Sequence, residues 1–319
     1  MTQTKDRIAA LMAAPRPWLT DGGLETTLIF HHGRDLPAFA AFPLIDSAEG
    51  RAELDAYYQG YYEIARKAGT GFVLDVPSWR ANPGWGEAVG YDLAGLDRVN
   101  RLGARHACAT RDAWETDASP IIVNGVIGPS DDGYSANRHL TAAMAEAVHM
   151  PQIAALAAGG VEMVTAATMT YVEEALGVAR AAKAVGVPCV ISFTTETDGC
   201  LPSGQGLAEA IRIVDEDAAT DVLYYMVNCA HPDHFSATLA DGADWRDRIG
   251  GIRANASRMT HAELDEAEDL DAGDPQEFGA LNAALRGVLA NLRVIGGCCG
   301  TDTRHVHSVA GCVHHRAAA

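Results

Sequence analysis

Leu292-Arg293-Val294-Ile295-Gly296-Gly297-Cys298-Cys299-Gly300 is a short apolar run that ends in glycines and two adjacent cysteines. Its length and composition are those of a strand buried on both faces. The glycines let the backbone turn sharply enough to aim both side chains at one point, and neighbouring cysteines do not readily bond to each other. Thiolate sulfur is a preferred zinc ligand, so the pair makes half of a soft-metal site. A second apolar run, Val222-Leu223-Tyr224-Tyr225-Met226-Val227-Asn228, leads directly into Cys229. If both runs are parallel strands of one sheet, all three sulfurs meet at the same end. The alternative is three buried cysteines acting as small hydrophobes, for which the Gly-Gly-Cys-Cys-Gly string has no obvious packing purpose.

Six more runs of the same kind accompany these. They are Trp18-Leu19-Thr20-Asp21, Gly71 to Val76, Ile121 to Gly125, Val161 to Ala166, Cys189 to Phe193 and Ile249 to Ala254. Pro188 stands just before the fifth in chain order, and a proline is tolerated at a strand start. Between them, Ala52 to Ala68, Leu140 to Ala158, Val172 to Val185 and Gly206 to Val214 show the apolar spacing of helices. Eight strands alternating with helices predict an α/β fold, a (β/α)8 TIM barrel, as one domain over residues 1–319. An open doubly wound sheet is the competitor, but Asp21-Gly22-Gly23 lacks the spacing of a dinucleotide-binding glycine loop. In a barrel, the active site lies at the C-terminal ends of the strands. Asp21-Gly22-Gly23, Asn124-Gly125, Ala167-Thr168, Cys229 and Cys298-Cys299 all fall at such ends.

The chain of 319 residues is 48% hydrophobic and 21% charged, which suits a globular enzyme with a large core. A formal net charge of −18 argues against nucleic acid and against an anionic membrane surface as partners. It also enriches small cations near a cleft. No apolar run reaches the roughly 18 residues that a membrane span needs. Near the N-terminus, Lys5 and Arg7 precede Ile8 to Ala14, but Pro15, Arg16 and Pro17 interrupt that stretch. An amphipathic first helix is expected there rather than a secretory leader. Seven cysteines, an odd number without a small-domain framework, fit a reducing cytoplasm.

Four segments together carry a resemblance. Asp21-Gly22-Gly23-Leu24, Asn124-Gly125-Val126-Ile127-Gly128-Pro129, Val227-Asn228-Cys229-Ala230-His231-Pro232 and Gly296-Gly297-Cys298-Cys299-Gly300-Thr301 resemble the homocysteine S-methyltransferase family. The likeness runs from about Trp18 to about Val306, and the Asn-Cys segment with the Gly-Gly-Cys-Cys-Gly segment is its specific part. It implies a zinc ion held by Cys229, Cys298 and Cys299, with an acceptor thiol in the open position. It further implies methyl transfer from a small cationic donor to that thiol, with homocysteine giving methionine. Three protein ligands and one open position is the pattern of catalytic zinc. A free alkyl thiol is mostly protonated at neutral pH, whereas the thiolate is the nucleophile, so coordination supplies the activation. The expected substrate contacts are Asp21, Gly22, Gly23, Glu25, Asn124 and Thr168. Nothing resembles an added folate or cobalamin domain, which favours a small soluble donor such as S-methylmethionine, S-adenosylmethionine or betaine. A sulfonium is the better leaving arrangement. A monomer or a small homo-oligomer fits the resemblance.

Two positions depart from the family pattern. The fourth strand commonly ends in a glutamate that receives the amino group of homocysteine, and Ala167 stands here instead. Glu25 replaces the usual small residue two places after Gly22-Gly23. Either Glu25 takes over the ammonium, or the acceptor is a different thiol or selenol. The second strand ends Asp75-Val76-Pro77-Ser78-Trp79 where many relatives carry a Thr-Asn-Thr type of ending.

Other conspicuous residues read more plainly. His231 and His234 are candidates for a fourth ligand, against solvated loop histidines. His305, His307, His314 and His315 are expected to cap or follow the last helix rather than to bind metal. Cys108, Cys189, Cys200 and Cys312 lack partners at ligand spacing. The acidic stretch Glu263 to Glu277 reads as a solvated loop or helix face, or as a lid on the catalytic rim. Trp79 and Trp85 read as loop packing, or as an aromatic wall for a methyl-bearing cation.

Overall fold

The computed structural model describes residues 2–314 apart from Arg138 and residues 241–243. Eight parallel strands close into a barrel in chain order: β1 Trp18–Leu19, β2 Phe72–Val76, β3 Ile121–Ile127, β4 Met163–Met169, β5 Cys189–Phe193, β6 Val222–Asn228, β7 Ile249–Ala254 and β8 Val294–Gly297. The helices between them include Ala48–Ala68, Leu93–Trp114, Ala142–Gly159, Val172–Val185, Leu207–Glu216, Pro275–Arg286 and Thr303–His314. This is the (β/α)8 barrel that the alternation predicts.

Strand periodicity separates a packed shell from a functional interior. Successive residues of a strand face opposite sides. Phe72, Leu74 and Val76 of β2 join the shell beneath the helices, as do Tyr225 and Val227 of β6 and Ile252 and Ala254 of β7. The intervening positions face inward. Low in the barrel these are apolar: Trp18, Val73, Ile122, Met163, Val190, Tyr224, Met226 and Val294 form one cluster with Leu11. Leu11 belongs to the N-terminal helix Thr2–Ala13, whose Arg7 bonds Glu115 at 2.5 Å and Glu162 at 3.0 Å. That helix therefore closes the N-terminal end of the barrel. Higher up, the inward positions turn polar, with Asp75, Asn124, Thr165, Ser192, Asn228 and Arg253.

Two strand boundaries differ from the sequence reading, with consequences for the site. β3 continues to Ile127, so Asn124 lies inside the strand rather than at its end. β4 runs from Met163 to Met169, which makes Thr168 a strand residue. The first strand is a two-residue ladder, but its backbone pairing with β8 continues: Thr20 N–H donates to Ile295 O at 3.1 Å and Gly297 N–H to Asp21 O at 2.9 Å. No helix of the described residues is long and apolar enough to cross a membrane.

Candidate active site

The C-terminal mouth of the barrel opens into a cavity of about 430 Å³. Asp21, Gly22, Gly23, Glu25, Asn124, Thr168, Cys229, Cys298 and Cys299 all line it. The three cysteine sulfurs lie within 4.8 Å of one another and form the one such cluster of potential ligands among the described residues.

Each sulfur is placed by backbone constraint. Cys229 follows β6 with φ +56°, a left-handed conformation rare outside glycine, and its N–H donates to Arg253 O at 3.0 Å. Its carbonyl oxygen lies 3.1 Å from His261 Nε2, whose ring stacks on Tyr134 at 4.3 Å between centroids. Tyr134 Oη in turn sits 3.3 Å from Cys229 Sγ. Cys298 N–H donates to Ala254 O at 2.8 Å, and Cys299 O accepts from Ala256 N–H at 3.2 Å. Two glycines permit this packing. A Cβ on Gly23 would stand 2.3 Å from Thr26 Oγ1 and 2.8 Å from Cys298 O. Gly300 has φ +74° with Asp271 O pressed against it.

The thiols perturb one another. Hydrogen bonds from Cys298 and Cys299 hold the Cys229 thiol well below its ordinary pKa, whereas those of Cys298 and Cys299 are raised. Three soft sulfur ligands gathered at one point suit a soft cation. Asn255 and Asn228 amides lie 3.7 Å from Cys229 Sγ and 3.9 Å from Cys298 Sγ. Such donors around sulfur ligands orient them. Neither histidine near Cys229 joins the cluster: His231 Nδ1 accepts from Asp233 N–H at 3.2 Å, and His234 Nε2 lies 3.1 Å from Arg258 O. Among the described residues the sulfur set thus offers three ligands and no fourth, the number expected of a catalytic rather than a structural zinc centre.

The homocysteine S-methyltransferase family model matches residues 18–313. The chain belongs to that family. It is a methyltransferase, and its substrates are small molecules. Homocysteine methyltransferase MmuM from Escherichia coli shares the fold: its metallated form aligns with a TM-score of 0.73 at 20% identity, over 95% of this chain and 99% of that one. The oxidised form gives 0.73 and 20% over 95% and 98%, and the apo form 0.67 and 19% over 96% and 99%. Comparison with curated proteins gives no match.

Below the sulfurs lies an ionic floor that the sequence reading missed. Arg253, an inward residue of β7, is ion-paired with both Asp21 and Asp75. Tyr57 Oη donates to Asp21 Oδ2 and Thr20 Oγ1 to Asp21 Oδ1, each at 3.1 Å. Asn124 Nδ2 donates to Asp75 Oδ1 at 2.7 Å and its Oδ1 accepts from Thr165 at 2.9 Å. Burial raises the Asp21 carboxyl, against the pull of Arg253. A charged residue inside an otherwise apolar strand was the available signal for Arg253.

Ala167 lines the cavity and its carbonyl accepts from Trp79 Nε1 at 3.3 Å. Glu25 also lines it, and burial pushes its carboxyl up to about 7. The cation against Trp79 and Trp85 is the chain's own: Arg80 Cζ lies 4.6 Å from the Trp79 ring centre and 3.4 Å from that of Trp85. Within the acidic stretch, Leu264, Asp265, Ala267, Asp269, Leu270 and Asp271 form part of the cavity wall. His305, His307 and His314 lie within the last helix, with His305 Nε2 2.7 Å from Ala272 O, and His315 is outside the described residues. Cys108, Cys189, Cys200 and Cys312 are free and away from the cluster.

Proposed function

We propose that this methyltransferase carries a methyl group from a small sulfonium donor to homocysteine, giving methionine, with zinc held by Cys229, Cys298 and Cys299. The convergence of three sulfurs on one side of a deep cavity carries the reading. Three soft thiolates with no fourth ligand among the described residues fit zinc with an exchangeable position. Zinc, when bound there, supplies the charge that keeps a thiol deprotonated at neutral pH.

The chain's own residues supply position and charge. Gly22 and Gly23, which line the cavity, make room for Thr301, Thr26 and the Cys298 carbonyl and so set the turn beside the sulfurs. Glu25 provides a carboxylate for the acceptor's ammonium, which Ala167 cannot bond through its side chain. Asp21 has Arg253, Tyr57 and Thr20 as internal partners, so it shapes the floor. Asn124 lies in that same floor, and Thr168 steadies the strand beside Cys229. Asp132, Asp265 and Asp269 line the cavity and favour a cationic donor near the mouth. Holding thiol and donor in line contributes much of the acceleration. Seven free cysteines fit a reducing compartment, and we place the enzyme in the cytoplasm.

The test is methyl transfer by the zinc-loaded protein, read by mass spectrometry, crossing homocysteine and other thiols with S-methylmethionine, S-adenosylmethionine and betaine. Methionine formed from homocysteine and a sulfonium is the expected result. Methylation of another thiol alone overturns the acceptor, and betaine as the sole working donor overturns the sulfonium.

A further inference from the structure

Arg80 follows β2 and lines the same cavity as the cysteines. Its guanidinium lies against two tryptophans that are themselves fixed. Trp79 Nε1 donates to Ala167 O at 3.3 Å and Trp85 Nε1 to Asp131 O at 3.1 Å. Asn82 caps the turn carrying Trp85, and Gly128 N–H bonds Trp79 O at 2.9 Å. Among the described residues, Arg80 has no ion pair, and its buried Nε and Nη1 have no hydrogen-bond acceptor. Nη2 is the donor left for a ligand. A planar cation pre-stacked in this way loses little conformational freedom when it binds a carboxylate.

Glu25 is the counterpart. It lines the cavity, and among the described residues it has no ion pair. Arg80 and Glu25 line the same cavity as Cys298 and Cys299, yet no ion pair joins them. Asp132 and Asp265 act on Arg80 across the space without bonding it. A cation and an acid with no ion-pair partner among the described residues thus share the wall of one cavity with the three cysteines.

We infer that Arg80 and Glu25 together form the recognition site for the zwitterionic head of an α-amino-acid thiol, with Arg80 binding the carboxylate and Glu25 the ammonium. This rests on the acceptor lying at the cysteine centre, as proposed above. It assigns the acceptor's carboxylate to a residue that the family resemblance does not name.

The experiment is calorimetric binding to the zinc-loaded protein, with steady-state kinetics alongside. The probes are homocysteine, its decarboxylated analogue 3-aminopropane-1-thiol and its deaminated analogue 4-mercaptobutanoate. Arg80→Met should weaken homocysteine and 4-mercaptobutanoate by about 10- to 100-fold, the scale of a lost charged hydrogen bond, and leave 3-aminopropane-1-thiol within about twofold. Glu25→Gln should weaken homocysteine and 3-aminopropane-1-thiol and spare 4-mercaptobutanoate. Arg80→Lys should restore part of the loss. Zinc content and melting temperature verify that each variant is folded, and Arg80→Gln serves if Arg80→Met is not. Equal weakening of all three probes by Arg80→Met means that Arg80 only supports the wall, through Asp265 or Asp132, and overturns the inference. So does wild-type homocysteine binding no tighter than either half-analogue. Selective binding without methyl transfer sinks the proposed reaction and leaves the recognition site standing.

Discussion

Thr168 and Asn228 clasp each other across the barrel mouth. Thr168 N–H donates to Asn228 Oδ1 and Asn228 Nδ2 donates to Thr168 Oγ1, both at 2.8 Å. Ser192 Oγ adds a third bond to the same Oδ1 at 2.5 Å. Thr168 has φ +64° and Cys229, the residue after Asn228, has φ +56°. For a β-branched threonine this backbone is a true outlier. Such strain persists where the surroundings over-determine it, and here one amide joins β4, β5 and β6 just where the first sulfur must be aimed.

Asn228→Ala should therefore act twice. It strands buried polar groups on Thr168 and Ser192, which costs about 2–4 kcal/mol in urea unfolding. It also releases the geometry of Cys229, so zinc affinity should fall about 10- to 100-fold in a competition with a chromophoric chelator. Unchanged affinity in a folded variant would show that the clasp is purely structural.

Replacing Cys229, Cys298 or Cys299 singly by alanine should reduce bound zinc from one equivalent to near none, measured by elemental analysis, and abolish turnover. Cys189→Ala and Cys312→Ala should retain the metal. Full activity in a zinc-depleted variant is the outcome that ends the metal reading.

Arg253→Met should be among the most damaging changes in the barrel. It leaves Asp21 and Asp75 as buried carboxylates without their cation, a loss of about 3–5 kcal/mol. Adding Asp75→Asn should recover part of that loss. A single variant as stable as the parent would mean the ionic floor is dispensable.

The folded state should resist acid less well because of His231. Burial lowers its imidazole to about 4, from an ordinary 6.5. Between these values the unfolded chain binds the proton that the folded chain refuses, so stability rises with pH across that window. The contribution is on the order of 2–3 kcal/mol, lost as pH falls from about 6.5 to 4. His231→Asn should flatten this part of a melting-temperature profile, and an unaltered slope would assign the loss to other groups.

The barrel was legible because buried parallel strands are written as continuous apolar runs, and β5, β6 and β7 begin and end where those runs do. The sulfur centre was legible because cysteines after strands have few other reasons to be there. Asn124 was placed too high, since a glycine after a polar residue looks like a strand end while β3 continues through it. Arg253 and Arg80 escaped for different reasons. Whether a strand residue points inward depends on strand register around a closed barrel, which a linear pattern does not reveal. The partnership of Arg80 with two tryptophans depends on how a loop folds back.

The pairing of Arg253 with Asp21 and Asp75 has a consequence for descent. Three segments contribute one charge each to a buried floor, and the single cation of Arg253 is shared by two carboxylates. Loss of the arginine in any relative should be accompanied by a neutral residue in place of Asp75, because the intermediate carrying two bare carboxylates folds poorly. Positions 75 and 253 should accordingly be inherited as a unit, although 178 residues of chain separate them.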